Sequence, residues 1–344
     1  MIKIAMFDTK PYDRTGFEKY AKDNNIVIKY FETRLTEDTV NLAKGFDGVI
    51  VFVNDVVNKK VIEELYNNGI KLVALRCAGF NNVDVKSAFE KIHIMRVPAY
   101  SPYAVAEHAM AMLLTSIRRI HKAFNRTREF NFSLNGLAGF DLHGKTVGVI
   151  GTGKIGKVFI DICKGFGMNV IAYDVYPDTS SDINYVALEE IFEKSDIISL
   201  HCPLTPETEY LINENAIEKM KKGVVILNTS RGKLIDAEAL LNGIKNKKVG
   251  AACLDVYEEE TDIFFEDYSG HIMQDDVLAR LLSMPNVLIT SHQAFLTEEA
   301  LDNIAKVTID NITDFFAGKS NNNEVCYQCE NKEECKKKRK ERCF

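Results

Sequence analysis

TVGVIGTGKIG, residues 146–156, is an apolar strand that runs straight into a glycine-rich turn and the start of a helix. Gly151, Gly153 and Gly156 fall in G-x-G-x-x-G order, with Lys154 and Ile155 between the last two. In such a turn the first glycine permits a tight reversal and the second lets backbone approach a pyrophosphate. The third lets helix and strand pack closely. The helix N-terminus adds unsatisfied N–H groups and the positive end of the helix dipole. The next apolar run, NVIAYD (169–174), ends on Asp174, eighteen residues past Gly156, where a carboxylate takes ribose hydroxyls. A carboxylate there repels a 2′-phosphate, and the following VYPD (175–178) holds no arginine to receive one. The expected cofactor is therefore NAD, not NADP.

Downstream the same rhythm continues through DIISL (196–200), VVILN (224–228), VGAACLD (249–255) and NVLIT (286–290), each a short apolar run. Upstream, IKIAMFD (2–8), IVIKYFE (26–32), GVIVFV (48–53) and LVALRC (72–77) form a separate alternating series with helical stretches between them. Such alternation predicts parallel sheets built from βαβ units. Between the two series, two prolines precede what reads as one long apolar helix over about 103–128, then a polar loop over 131–144. A last helix, about 297–317, is expected to return to the first series, so that the chain crosses twice between two domains. The fold class expected is α/β: a Rossmann dinucleotide-binding domain (101–298) and a flavodoxin-like substrate domain (1–100 with 299–318), both with parallel sheets. Residues 319–344 read as a cysteine-rich basic tail.

The 344 residues are 46% hydrophobic and 27% charged, a globular balance. A net charge of −6 gives no reason to expect nucleic acid as a partner. No leader-like N-terminal layout occurs and no apolar stretch approaches membrane-spanning length, so a cytoplasmic protein without a membrane partner is expected. Without a leader, a disulfide framework is not expected from the eight cysteines.

Ligands of open α/β sheets sit beyond the carboxyl ends of the strands. Four successive strands of the second series carry polar residues there: HCPLT (201–205), NTSRG (228–232), DVYEEE (255–260) and SHQAF (291–295). Cys202, Pro203, Thr229 and Asp255 are assigned to the cofactor side. Reduction of a 2-keto acid needs a hydride donor, a group that holds the carboxylate and an acid for the developing alkoxide. Arg231 has the planar fork that binds a carboxylate bidentately. His292 is the natural proton donor, since an unperturbed imidazole titrates near ~6.5. A neighbouring carboxylate would orient its ring; Glu260 and Asp255 both qualify, and spacing alone does not rank Glu258, Glu259 and Glu260. Phe52 and Phe295 suit a small apolar pocket around a methyl group.

With these residues in hand, the chain resembles the D-isomer-specific 2-hydroxyacid dehydrogenases over about residues 1–318. The resemblance is carried by VFVND (51–55), RCAGFNNVD (76–84), YSPYAVAEH (100–108), GTGKIG (151–156), NTSRGKLID (228–236), LDVYEEETDIFFED (254–267) and HQAFLTEEAL (292–301). It implies a catalytic set of Arg231, Glu260 and His292, which singles out the third glutamate. It also implies that backbone N–H groups of Ala78 and Gly79 bind the substrate carboxylate, and that Tyr100 belongs to a lid over the substrate. The implied reaction is reversible NADH-dependent reduction of a 2-keto acid, pyruvate to D-lactate before isocaproate-type, glyoxylate or hydroxypyruvate substrates. A non-enzymatic NAD(H)-sensing regulator is the reading from another class. The implied assembly is a homodimer or homotetramer.

EVCYQCENKEECKKKRKERCF (324–344) departs from the resemblance. Cys326, Cys329, Cys335 and Cys343 are four thiols suited to zinc or an iron–sulfur cluster, and Lys336–Lys340 would favour thiolates. The loose spacing of the second pair and the lack of an apolar core leave a basic tail and redox-sensing thiols as the alternatives.

Overall fold

Each apolar run of the sequence becomes a strand covered by helices, in a computed structural model that describes residues 1–260, 263–327 and 343–344. The chain divides into two compact units, Met1–Ser101 with Leu296–Phe344, and Pro102–Phe295.

The first unit begins β1 (Ile2–Met6), α1 (Asp13–Asp23), β2 (Ile26–Tyr30), β3 (Gly48–Val51), α2 (Lys59–Asn67), β4 (Leu72–Leu75), α3 (Val85–Ala88) and β5 (His93–Met95). Every residue of β3 and β4 is buried, as expected of parallel strands with both faces covered. The second unit comprises α4 (Pro102–Ile117), α5 (Ile120–Arg128), β6 (Thr146–Ile150), α6 (Lys154–Gly165), β7 (Asn169–Tyr173), α7 (Leu188–Lys194) and β8 (Ile197–Leu200). It continues through α8 (Glu214–Lys219), β9 (Val224–Asn228), α9 (Ala237–Lys245), β10 (Val249–Leu254), α10 (Asp276–Ser283) and β11 (Val287–Ile289). The chain then adds α11 (Glu298–Phe316) and β12 (Glu324–Val325) to the first unit. Polar caps start several helices. Asn58, Asn213, Asp236, Asp275 and Thr297 each accept from the backbone N–H three residues on, filling one of the orphan donors of a first turn.

The first sheet has the order β12-β5-β4-β3-β1-β2, parallel except for the antiparallel β12. The second has the order β11-β10-β9-β8-β6-β7 and is parallel throughout. Here chain order reverses beside β6, which lies between β7 and β8. That reversal is the switch point at which doubly wound sheets open a crevice for ligands. Gly151 follows β6 directly. The buried side chains of unit two form one cluster around Ile198, Ile226 and Leu254 and another that joins α4 and α6 to Val149, Val225 and Cys253.

Three expectations change. The single helix over 103–128 is two helices, α4 and α5. Arg119 between them is left-handed (φ 52°), and the loop after α5 closes on the break. A Cβ on Gly139 would lie 1.9 Å from the Ile117 carbonyl oxygen, so loop backbone touches the end of α4. β5 escaped the sequence reading because three residues are too few for periodicity. The stretch after Gly318, read as a tail, instead supplies β12, which covers the edge of β5 with the pairs Glu324↔Met95 and Val325↔Ile94. Among the described residues no helix is long and apolar enough to cross a membrane.

Candidate active site

The glycine turn meets its three requirements in three ways. Gly151 is left-handed (φ +94°), and a Cβ there would stand 2.6 Å from Cys202 N. A Cβ on Gly156 would stand 2.0 Å from the Gly151 carbonyl oxygen, so α6 packs against the turn without room for a side chain. Gly153 meets nothing within 4 Å; it is the exposed position that a phosphate can approach. No side chain caps α6, which starts between exposed Gly153 and exposed Lys154. Ile155 packs instead on the apolar cluster beneath. Asp174 is braced by the same turn: Oδ2 accepts from Thr152 N (2.6 Å) and Thr152 Oγ1 (3.0 Å), and Oδ1 from Tyr176 N (2.9 Å). These residues fit a dinucleotide. Gly153→Ala is expected to keep the melting temperature and weaken NADH binding, by about tenfold for ~1.4 kcal/mol of steric loss. Gly156→Ala is expected to lower the melting temperature itself. Fluorescence titration with NADH and thermal melts separate the two.

At the end of β8, burial pushes the Cys202 thiol up to about 11 and the His201 imidazole down to about 4. Near pH 7 burial thus favours the neutral form of both, the opposite of what an imidazolium acid or a thiolate nucleophile needs. The Cys202 carbonyl accepts from Ser230 Oγ (2.6 Å), exposed Pro203 accepts from Thr208 Oγ1 (2.8 Å), and the buried Thr229 hydroxyl has no partner among the described residues.

β9, β10 and β11 are neighbours in the sheet, so the residues beyond their ends are neighbours too. Arg231 lies three residues past β9. Asn228 donates to its carbonyl (2.8 Å), and its own Nη1 donates to the Ser230 carbonyl (2.7 Å). Among the described residues no carboxylate pairs with it, which leaves most of the guanidinium fork for a ligand. A Cβ on Gly232 would lie 1.9 Å from the Tyr257 carbonyl oxygen. The loops after β9 and β10 therefore touch backbone to backbone, a contact only glycine permits.

The third acid of the EEE run meets the histidine. Glu260 Oε2 lies 2.7 Å from His292 Nδ1, while Oε1 accepts from Tyr257 N at 2.8 Å. Glu258 is spent elsewhere, on Ala237 N (2.6 Å) and the Tyr210 hydroxyl (3.1 Å), and Glu259 is exposed. Asp255 has a different task from the one it shared with Glu260 in the sequence reading. Fully buried, it accepts from Thr290 Oγ1 (2.5 Å), Gln293 N (2.9 Å) and Ala294 N (2.8 Å), and its own carbonyl accepts from His292 N (2.7 Å). Burial alone would raise its carboxyl, but hydrogen bonds from His108, Thr290 and the two N–H groups outweigh it and hold the group below the ordinary range. The bonds brace the turn in which His292 sits left-handed (φ 54°), a conformation that costs a non-glycine residue energy. The His108–Thr290–Asp255 contacts join residues far apart in the chain, and no local pattern announced them.

The other candidates occupy defined places within their units. Phe295 closes the second unit and is buried. In the first unit, the Arg76 guanidinium stacks 3.9 Å from the Phe52 ring centre, and Asp55 Oδ2 accepts from Phe52 N (2.6 Å). Arg76 is itself buried, with Nη2 on the Asp8 carbonyl (2.7 Å) and Nη1 3.2 Å from Asp13. The carbonyls of Ala78, Gly79 and Tyr100 accept from Arg96 (2.6 Å), the Cys77 thiol (3.3 Å) and Asn303 (2.6 Å). Of the four tail cysteines, Cys329 and Cys335 lie outside the described residues. Among the described residues no group of three or more His, Cys, Asp or Glu is placed to hold a metal, so the expectation of zinc or an iron–sulfur cluster gains no support.

Residues 110–294 match the family model for the NAD binding domain of the D-isomer specific 2-hydroxyacid dehydrogenases. A 2-hydroxyacid dehydrogenase homolog of Haemophilus influenzae is 53% identical over 322 residues, 92% of this chain and 97% of that protein. The D-lactate dehydrogenase of Escherichia coli is 50% identical over 328 residues, 94% and 100% of the two chains. The solved structure described as the pyruvate reductase of Chlamydomonas reinhardtii superposes with a TM-score of 0.88 at 43% identity, covering 92% of this chain and 97% of the other. With the glycine turn and the His292–Glu260 pair already in place, these likenesses settle the family: the chain belongs to the NAD-dependent D-isomer specific 2-hydroxyacid dehydrogenases.

Proposed function

We propose that the chain catalyses the reversible reduction of pyruvate to D-lactate. The observation that carries this reading is the 2.7 Å Glu260–His292 pair, set on a strand end next to those bearing Asp255 and Arg231. Bound NADH supplies a hydride to the carbonyl carbon. The Arg231 fork holds the substrate carboxylate bidentately, each charge-assisted bond about twice as strong as a neutral one. With Nδ1 on Glu260, His292 presents Nε2 to the substrate oxygen and gives up its proton there as the alkoxide develops. Glu260 stabilises the imidazolium before transfer and fixes the ring throughout. In the oxidative direction neutral Nε2 takes the hydroxyl proton. Ala78 and Gly79 are assigned to the substrate carboxylate, Tyr100 to substrate cover, and Phe52 and Phe295 to the methyl group. The likeness to the lactate enzyme of Escherichia coli and to the Chlamydomonas pyruvate reductase supports pyruvate as the acid. A cytoplasmic homodimer or homotetramer that reoxidises NADH in fermentation is the setting this reading implies.

Stereochemistry tests it. NAD reduction is expected with D-lactate and not with L-lactate; turnover of the L-isomer alone would overturn the reading. Glu260→Gln is expected to lower kcat for pyruvate reduction by roughly a hundredfold, because an amide can still hold Nδ1 but does not stabilise the imidazolium that gives up its proton. Steady-state turnover with a parallel NADH titration reads this, and a variant that kept most of its kcat would remove Glu260 from the role.

A further inference from the structure

The strand β12 ends where Cys326 begins, and the last two residues of the chain return to it. Cys343 N donates to Glu324 Oε2 at 3.1 Å, while Glu324 Oε1 lies 2.5 Å from His93 Nδ1. The Phe344 ring stacks on His93 at 4.0 Å between centres and meets Phe89 edge-on at 5.4 Å. Glu324 is 1% exposed, Cys326 6% and Cys343 2%, so this carboxylate, two thiols and an imidazole share one enclosed corner of the first unit. Ladder pairing fixes the backbone before Cys326, and the Glu324 bond with the aromatic stack fixes that of Cys343. Two independently anchored segments thus place the two enclosed thiols beside each other, on either side of the Glu324 carboxylate. Of the other described cysteines, Cys77 is bonded to the Gly79 carbonyl, and Cys163, Cys202 and Cys253 belong to the second unit.

We propose that Cys326 and Cys343 are a thiol–disulfide modification site whose oxidation ties the C-terminal residues to the edge of the first sheet. The oxidant is a low-molecular-weight disulfide. The thiolate of one cysteine attacks a sulfur of that disulfide, giving a mixed disulfide and one small thiolate. The second cysteine then displaces the remaining small thiolate and forms the Cys326–Cys343 bond. One small disulfide is reduced to two thiols while the protein dithiol is oxidised, and the two thiol protons end on the released thiols. Because both segments are already docked in one corner, closing the bond asks less of the backbone than joining two distant cysteines would.

The test uses the full chain carrying Cys329→Ser and Cys335→Ser, which leaves the pair as its only tail cysteines. After prolonged incubation with oxidised glutathione and alkylation, peptide mapping should show one linked peptide joining Cys326 to Cys343 and the loss of two alkylatable thiols per chain. Dithiothreitol should restore both. Cys326→Ser should abolish the link. Alkylation of both cysteines after oxidation, or a separate glutathione on each, would overturn the proposal. Should the variant fail to fold, mapping the unaltered chain decides the matter in the same way: links to Cys329 or Cys335 overturn the proposal, as would zinc that copurifies with the chain and leaves it only when the thiols are alkylated.

Discussion

His292→Asn is expected to lower kcat for pyruvate reduction by about a thousandfold, within the range a positioned proton donor contributes, and to leave NADH affinity unchanged. Asparagine is the informative replacement because it tolerates the left-handed backbone that His292 adopts. The turn braced by Asp255 then survives, and the loss belongs to the missing proton. Stopped-flow turnover with a parallel NADH titration measures both quantities. A variant that kept a tenth or more of its kcat would remove His292 from the chemistry, since a group that supplies the proton cannot be dispensable.

Arg231→Lys is expected to lower kcat/KM for pyruvate by roughly a hundredfold, equivalent to ~3 kcal/mol of lost transition-state binding. Charge is preserved, so the loss isolates geometry: an ammonium is a point charge, whereas the guanidinium presents two parallel N–H groups to a carboxylate. Arg231 already donates one N–H to the Ser230 carbonyl, a bond that aims the fork and that a shorter ammonium cannot copy while also reaching the substrate. A substrate without the carboxylate should lose more than this factor on the unaltered protein, because charge and the Ala78 and Gly79 N–H groups go unused as well, and should lose less on the variant, whose fork is already gone. If the lysine variant retained most of its kcat/KM, the carboxylate would have to be held elsewhere.

The second sheet was legible because its central strands β8 and β9 are buried throughout and its strands read as short apolar runs, four of them followed by a polar cluster. The glycine turn was legible for a different reason. Gly151 and Gly156 sit where a Cβ would strike backbone, so the residue type itself records the contact. What sequence did not rank was the acid beside His292. Glu258, Glu259 and Glu260 are chemically equivalent in the chain, and only the fold sends the first to the N-terminus of α9, the second to solvent and the third to the ring. Family resemblance singled out Glu260 where spacing had left it level with Asp255. Contacts with large sequence separation left no trace at all, among them His108 on Thr290 and Asp255, and Arg76 stacked on Phe52. The helix over 103–128 was overextended because apolar content continues to Ile117 and helical residues resume at Ile120, while the left-handed break at Arg119 depends on the Gly139 loop lying against it. The last stretch misled in the other direction: a polar, lysine-rich composition hid an edge strand of two residues and a docked C-terminal pair.

The central claim is that this site transfers hydride from NADH to a small 2-keto acid. The most direct measurement is NADH oxidation, followed by absorbance, across pyruvate, glyoxylate, hydroxypyruvate and 2-ketoisocaproate, with NADPH run in parallel. The account predicts fast turnover with pyruvate and NADH, slower turnover with the other acids, and little with NADPH because Asp174 opposes a 2′-phosphate. NADH that binds but is not oxidised with any acid of the panel would contradict it, and would make the chain a nicotinamide-binding protein without the chemistry argued here.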